Sequence, residues 1–440
     1  MVKYIKKRGG DLGVPFGEEA RMEKKIISKS GIPVYSYTNG AQGSFFLSLY
    51  LRAGSMHEET SGITHFFEHI AIRNINYRMS GELYSVLDRY GLEFNAATAQ
   101  DNVQFYISGA RQHVRLGAEI LVRVLDEITL PREEIDRERG RIRAEIRETG
   151  DSHTLAGFSA ERVFAGSTLA RPITGTLGSV AKIGIRSLDS FRKEVLTAEN
   201  LFFYATGNVT EEDLIYLAEL ADGYKLPRGE GRRNTAPVPT YFGKRDAAVH
   251  IKGADFTKLR FTFDVDTSRV SLPELDLVYD QLLGGYSSEL FMELSERRGM
   301  IYDLGGGVER YENLGVFSFN FEIKEAHVAE AVSLIVDILR RHKEELLPEE
   351  SIVRAGYVDN AMMLFDDPRE LNFTFAYDNH IMNCGYASIE DRRAAYADVS
   401  PERIREACRA LFCPENLTLA LKGSRKRIDA AALREILLGL

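Results

Sequence analysis

Apolar and polar residues alternate in several stretches with the period of a β-strand. Val103, Phe105 and Ile107 alternate with Gln104, Tyr106 and Ser108, the pattern of a strand with one face on a core. Strands are also expected over Ser44–Leu51 and over residues 259–265. Helical spacing takes over in residues 113–128, 326–341 and 133–149, where Ile135, Ile142 and Ile146 form one stripe. Strands followed by runs of helices, rather than strict alternation of the two, predict an α+β architecture. Helices would pack on a largely antiparallel sheet.

The pattern occurs twice. Residues 199–207 (ENLFFYATG) recur as 415–423 (ENLTLALKG). His113, ahead of the helical run through Leu121, Val124 and Leu125, matches His327 ahead of Ile335, Ile338 and Leu339. Residues 87–91 (LDRYG) resemble 294–299 (LSERRG), with one insertion. Three matches in one order, at nearly one offset along the chain, predict a duplication. Between the copies, residues 222–240 are rich in Gly, Pro and charge and read as an exposed linker. The expected division is residues 1–221, a linker at 222–240, and 241–440.

Composition narrows the function classes. The 44% hydrophobic and 28% charged content of the 440 residues is that of a globular protein, not a disordered or collagen-like one. A net charge of −9 argues against nucleic acid as the main partner. Three cysteines, an odd number late in the chain (Cys384, Cys408, Cys413), argue against a disulfide framework and read as thiols in a reducing compartment. There is no run of 18 apolar residues, and the basic opening segment has no apolar signal core. No membrane partner is expected, and cytoplasm is the expected location.

The strongest chemical signal is residues 64–70, THFFEHI, which place His65, Glu68 and His69 in the order H-x-x-E-H. On a helix, positions i and i+4 share a face, so both imidazoles can reach one zinc ion at about 2.0–2.1 Å. Glu68 points to the same side, where a carboxylate can take a proton from water. Phe66, Phe67 and Ile70 make this a packed helix rather than a fully solvated one. A hydrolytic zinc ion needs a third protein ligand. Glu138 and Glu145 lie beside Ile142 in the stripe of residues 133–149, a costly place for a carboxylate unless something positive faces it. Zinc facing Glu145, with Glu138 orienting a histidine from behind, is one solution. Ion pairing with Arg139, Arg141 or Arg143 on a solvated helix is the other.

From residue 51 to about 423 the chain resembles the pitrilysin and mitochondrial processing peptidase family, in its subgroup of two-domain chains of this length. The carriers are residues 52–70 (RAGSMHEETSGITHFFEHI), 91–106 (GLEFNAATAQDNVQFY), 138–146 (ERGRIRAEI), 170–179 (ARPITGTLGS) and 283–302 (LGGYSSELFMELSERRGMIY). The family's spacing from the second histidine to the third ligand falls on Glu145 here, and Glu138 matches its orienting glutamate. The resemblance implies zinc-dependent peptide hydrolysis, with one Zn²⁺ per chain. It implies two homologous α+β domains per chain, and two chains enclosing a clamshell chamber. It also implies peptide binding as an added strand along Asn95, Ala96, Ala97 and Thr98.

The match weakens where the facing half should supply transition-state donors. The family carries an Arg and a Tyr seven residues apart; here Tyr302 is present, but position 295 is a serine. A hydroxyl cannot replace a guanidinium fork, and Arg297 and Arg298 sit at another helical phase. Residues 71–79 also lack the family's usual Phe-Lys-Gly-Thr turn. The expected function is a zinc endopeptidase, the metal-bearing subunit of a heterodimer whose homologous sister chain supplies the Arg/Tyr pair, or otherwise a homodimer. The other class is a non-catalytic structural or peptide-holding subunit.

Overall fold

The computed structural model describes residues 22–149, 154–238, 247–285 and 287–440. The first sheet holds β1 (Lys24–Ile27), β2 (Pro33–Thr38), β3 (Ser44–Leu51), β4 (Glu93–Thr98), β5 (Val103–Ala110) and β6 (Leu201–Gly207), in the spatial order β1-β2-β6-β3-β5-β4. The second holds β7 (Ala248–Gly253), β8 (Thr257–Val265), β9 (Leu304–Arg310), β10 (Gly315–Ile323) and β11 (Leu417–Gly423), in the order β7-β11-β8-β10-β9. Without β1 the two orders are identical. Each sheet is antiparallel except for one parallel pair, β2 with β6 and β7 with β11. The repeated ENL segments lead into the equivalent strands β6 and β11, and His113 and His327 each close a short 3₁₀ turn ahead of a helix. The matched loop glycines, Gly91 and Gly299, both take φ of +61°.

Between β3 and β4 run α1 (Ile63–Arg78) and α2 (Leu83–Tyr90). The helical run after His113 is α3 (Val114–Leu121), tightening into 3₁₀ geometry over Val122–Leu125. The carboxylate-bearing helix is α4 (Arg132–Thr149), and α5 (Leu155–Val163) follows. Apolar faces of α1, α3 and α4 close the first core, with Phe66, Phe67, Ile70 and Ile142 essentially unexposed. Each such side chain contributes roughly 1.5–3 kcal/mol by burial. A second, separate core forms around β8, β10 and β11.

Two expectations change. Tyr106, read as lying on an open strand face, is buried, as is β3 from Phe45 to Leu51. The far face of the first sheet is covered by the helix Pro368–Phe375 from the second half. Its Phe373 packs edge-on against Phe46 and Tyr106, and Ser48 Oγ donates to Asn372 Oδ1 at 2.6 Å. The reverse also holds: α5 of the first half lies against β8 and β11, with Phe158 beside Ala420 and Ser159 Oγ 3.1 Å from Thr262 Oγ1. Each half thus lends a helix to the other's sheet.

The linker is the other change. Most of residues 223–238 is solvent-facing, but Asn234 and Ala236 are buried. Glu312 N donates to Asn234 O at 2.7 Å and Ala236 N to Asn313 Oδ1 at 2.8 Å, so this stretch is strapped to the second sheet. Residues 1–21 and 239–246, which include the start of the first expected domain and the junction into the second, lie outside the described residues. Among the described residues, no helix is long and apolar enough to cross a membrane.

Candidate metal centre

Helix α1 begins under unusual control. Gly62 stands at its N-terminus with φ +87°, and the buried carboxylate of Glu58 accepts hydrogen bonds from Gly62 N at 2.6 Å and Thr64 N at 3.1 Å. Two N–H groups that the first helical turn leaves without partners are thereby satisfied. Burial pushes Glu58 up to about 7, against the lowering effect of those bonds and of nearby Arg171. The chain crosses itself at the same point. A Cβ on Gly62 would stand 2.7 Å from Thr174 O, and one on Gly175 would stand 2.7 Å from Ser61 O. Only glycines permit that approach. Beyond the motif, α1 runs on without a turn to Arg78, so residues 71–78 are helix. It stops where Ser80 and Gly81 take positive φ.

His65, Glu68 and His69 lie on one side of α1, and α4 brings its carboxylates against them. Nε2 of His65 is 3.5 Å from Glu145 Oε1, and Nε2 of His69 is 3.7 Å from Glu145 Oε2. One ligand atom from each of the three residues lies within 4.8 Å of the other two. On its other side, His69 Nδ1 is 3.5 Å from Glu138 Oε2. Glu138 is 3% exposed, and its remaining oxygen takes Arg141 at 3.1 Å and faces Arg73 at 3.7 Å. Glu138 thus stands between the His69 ring and the guanidinium groups of Arg141 and Arg73. Arg139 turns away, donating to Ile183 O.

The donor set fits zinc. Two ligands of a tetrahedral zinc ion at about 2.0–2.1 Å stand roughly 3.3 Å apart, close to the 3.5 and 3.7 Å separations and longer than a charge-assisted hydrogen bond. Burial, and then the neighbouring His69, push His65 down to about 4, which keeps its imidazole neutral with a lone pair to offer. Burial also works against the charged form of His69, but the carboxylates around it, Glu138 foremost, raise it on balance.

Glu68 is 9% exposed, and burial raises its carboxyl above the ordinary range against the hydrogen bond it accepts from Thr98 Oγ1 at 2.5 Å. Thr98 ends β4, the outermost strand of its sheet, bonded to β5 alone. Asn95, Ala96, Ala97 and Thr98 all lie on that strand, with Asn95 and Ala97 exposed. Asn95 Oδ1 accepts from Ala96 N at 2.8 Å, so this amide is held by a side chain. Tyr302 is 94% exposed in the short approach to β9, the outermost strand of the second sheet. Ser295 lies in a π-helical turn, Met292–Arg297, which shifts side-chain directions away from ordinary helical phase. Arg297 pairs with Glu293 and Arg298 with Glu330.

Glu58 and the Gly62/Gly175 crossing escape a reading of the sequence. The only signal is a glutamate four residues ahead of a glycine at a helix start, which differs from the usual capping pattern.

The chain is thus a duplicated α+β protein whose candidate metal-ligand cluster lies in the first half. It belongs to the pitrilysin, or M16, peptidase family. Residues 35–177 match the family model described as "Insulinase (Peptidase family M16)", and residues 182–355 match "Peptidase M16 inactive domain". An uncharacterized zinc protease of Streptomyces coelicolor is 24% identical over 434 residues, covering 94% of this chain and 92% of its own. Another, from Bacillus subtilis, is 20% identical over 302 residues, covering 68% and 73%. Among solved structures, a protease from Helicobacter pylori matches with a TM-score of 0.78 at 18% identity, over 92% of this chain and 99% of its own. A protein from Pseudomonas fluorescens described as a peptidase M16 inactive domain matches at 0.79 and 14%, over 91% and 98%. These structural likenesses carry the fold.

Proposed function

We infer that this chain is a zinc-dependent endopeptidase, with His65, His69 and Glu145 as its metal ligands and Glu68 as the general base. The observation that carries this reading is the convergence of two imidazoles and a carboxylate beside a buried glutamate, at an open sheet edge. Held there, zinc supplies Lewis acidity toward water and the scissile carbonyl. Glu138 fixes the ring of His69 through Nδ1. Glu68 takes the proton from the attacking water; its raised pKa suits both that step and later delivery of the proton to the leaving amine. Thr98 orients one carboxylate oxygen and leaves the other for the proton. The peptide adds as a strand along Asn95–Thr98, its carbonyl taking over the Ala96 N–H from Asn95.

Replacing Glu68 with glutamine keeps the metal and lowers peptide turnover about 10²–10⁴-fold, because an amide accepts no proton. Wild-type turnover by Glu68→Gln would remove it from the base role. Zinc and peptide binding without any turnover by the wild-type chain would make it a peptide-holding subunit.

The working assembly is two homologous chains around a shared chamber. Tyr302 would donate to the developing oxyanion across it, and a sister chain would bring the arginine that Ser295 replaces. Losing one such donor costs roughly 2.7–4 kcal/mol. The isolated chain is therefore expected to be feebly active and to gain on addition of a homologous partner, with Ser295→Arg raising the rate of the chain alone. Full activity from the isolated chain, unchanged by a partner, would refute the heterodimer.

A further inference from the structure

Helix α1 runs on past the histidines, and its next turn carries a cation. His65, His69 and Arg73 stand four residues apart and share a face. The carboxylates of α4 meet them in reverse order: Glu145 beside His65 at 3.5 Å, Glu138 beside His69 at 3.5 Å, and Glu134 beside Arg73. The two helices are therefore antiparallel, and their facing residues form one ladder. Arg73 Nε donates to Glu134 Oε2 at 2.7 Å, and Nη2 donates to the same oxygen. Nε also stands 3.7 Å from Glu138 Oε1, while Oε2 of that carboxylate faces His69 Nδ1. One guanidinium thus spans two carboxylates a helical turn apart, a reach that its planar fork permits.

The other cations on these carboxylates do not link the helices. Arg137 pairs with Glu134 at 2.6 Å and Arg141 with Glu138 at 3.1 Å, but both stand on α4 itself, with side chains 66% and 64% exposed. Among the described residues, Arg73 is the cation that reaches both from α1, and its own side chain is 20% exposed. The adjoining residue is anchored too. Asn74 Nδ2 donates to Glu127 O at 2.9 Å, and Thr129 N donates to Asn74 Oδ1 at 2.9 Å, just ahead of α4. A helix is stiff, so the point where Arg73 holds Glu134 and Glu138 also decides where Glu145 arrives, about three turns further along α4.

We propose that Arg73 is a positioning residue of the metal centre. By bridging Glu134 and Glu138 from α1, it sets the register of the two helices, keeps Glu138 on His69 Nδ1, and so governs how tightly zinc is retained. It touches none of the three ligands. The proposal rests on His65, His69 and Glu145 being the zinc ligands, and its test needs no turnover. The chain is stripped of metal, and its zinc dissociation constant is read by competition with a chromophoric chelator. Arg73→Met should weaken zinc binding about 10–100-fold, as losses behind a metal ligand generally do. The sign is diagnostic, because by charge alone the loss of a nearby cation favours a dication. Arg73→Lys keeps a positive charge without the fork and should fall between Arg73→Met and the wild type. Arg78→Met removes an ion pair of the same helix, with Asp126 at 2.8 Å, that lies outside the ladder; zinc binding should stay as in the wild type. In the zinc-loaded chain, the His69 Nδ1 proton signal, far downfield while it donates to Glu138, should move upfield in Arg73→Met. An unmoved signal, zinc bound by Arg73→Met as tightly as by the wild type or more so, or an equal loss in Arg78→Met overturns the proposal. Thermal melting checks folding, and Arg73→Gln carries the test if Arg73→Met does not fold. Failure of the wild-type chain to bind zinc, or retention of zinc by His65→Ala, would instead count against the ligand set.

Discussion

Helix α1 and the helix Leu272–Leu282 occupy the same place in their halves, each following the strand at the middle of its sheet order. Both carry titratable residues four apart, His65 and His69 in one, Asp276 and Asp280 in the other. Their surroundings differ. In the second half, Asp276 is buried against Tyr396 OH at 2.6 Å and Arg310 at 3.3 Å, and nearby Asp378 takes Arg392 at 2.9 Å. Glu274 accepts from Ser271 N at 2.8 Å and from Arg403 at 2.7 Å. The protein supplies its own cations there, and the network closes on itself. Around α1 the two imidazoles and the Glu145 carboxylate converge at distances too long for good hydrogen bonds. One scaffold thus holds a closed charge network in one half and a candidate ligand cluster in the other, and only side chains decide which.

The comparison breaks most sharply with metal counting. His65→Ala should lose tight zinc binding altogether. Asp276→Asn should cost about 3–5 kcal/mol in stability by leaving part of a buried ion network unpaired, yet hold zinc at one ion per chain. Elemental analysis of dialysed protein, beside thermal melts, reads both. Any fall in zinc content for a folded Asp276→Asn would mean that the halves are not separate in this respect.

A smaller effect tests how α1 is held. Gly175→Ala puts a methyl against backbone at 2.7 Å and at a φ of +74°, a strain of roughly 1–3 kcal/mol. Melting temperature and zinc affinity should fall together, because the crossing seats the helix that bears both histidines. An unchanged zinc affinity in a destabilised protein would reduce the crossing to packing alone.

The smallest is a slope. Because Glu58 is raised to about 7 from an ordinary 4.5, the stability it contributes is fully present below about 4.5 and lost as pH rises through about 7. Glu58→Gln removes that titration. The melting temperature of the wild type relative to this variant should therefore decline between about pH 5 and pH 8. A constant difference across that window would mean that Glu58 titrates normally.

Much of the fold is readable from residues. The paired ENL segments and the paired loop glycines foretell two sheets of one strand order, because strand length and loop geometry are local properties. H-x-x-E-H foretells a shared helix face for the same reason. The exchange of α5 and Pro368–Phe375 is not readable. An amphipathic helix declares that it must bury a stripe, not which sheet receives it. Tyr106 departs from expectation on the same account: strand alternation cannot reveal a cover that Phe373 supplies from the other half of the chain. Glu58 escapes because its link to α1 depends on how a loop folds back.

The exchanged helices bear on how such a duplicated chain can change over time. Ser48 answers to Asn372 and Ser159 to Thr262, so a substitution in one copy is judged by the surface of the other. The two halves differ in chemistry, with imidazoles on one helix and aspartates on the other, while each seam ties a sheet of one half to a helix of the other. Drift in either sheet face must be matched by drift in a helix encoded in the opposite copy, so the two halves inherit their mutations as a pair.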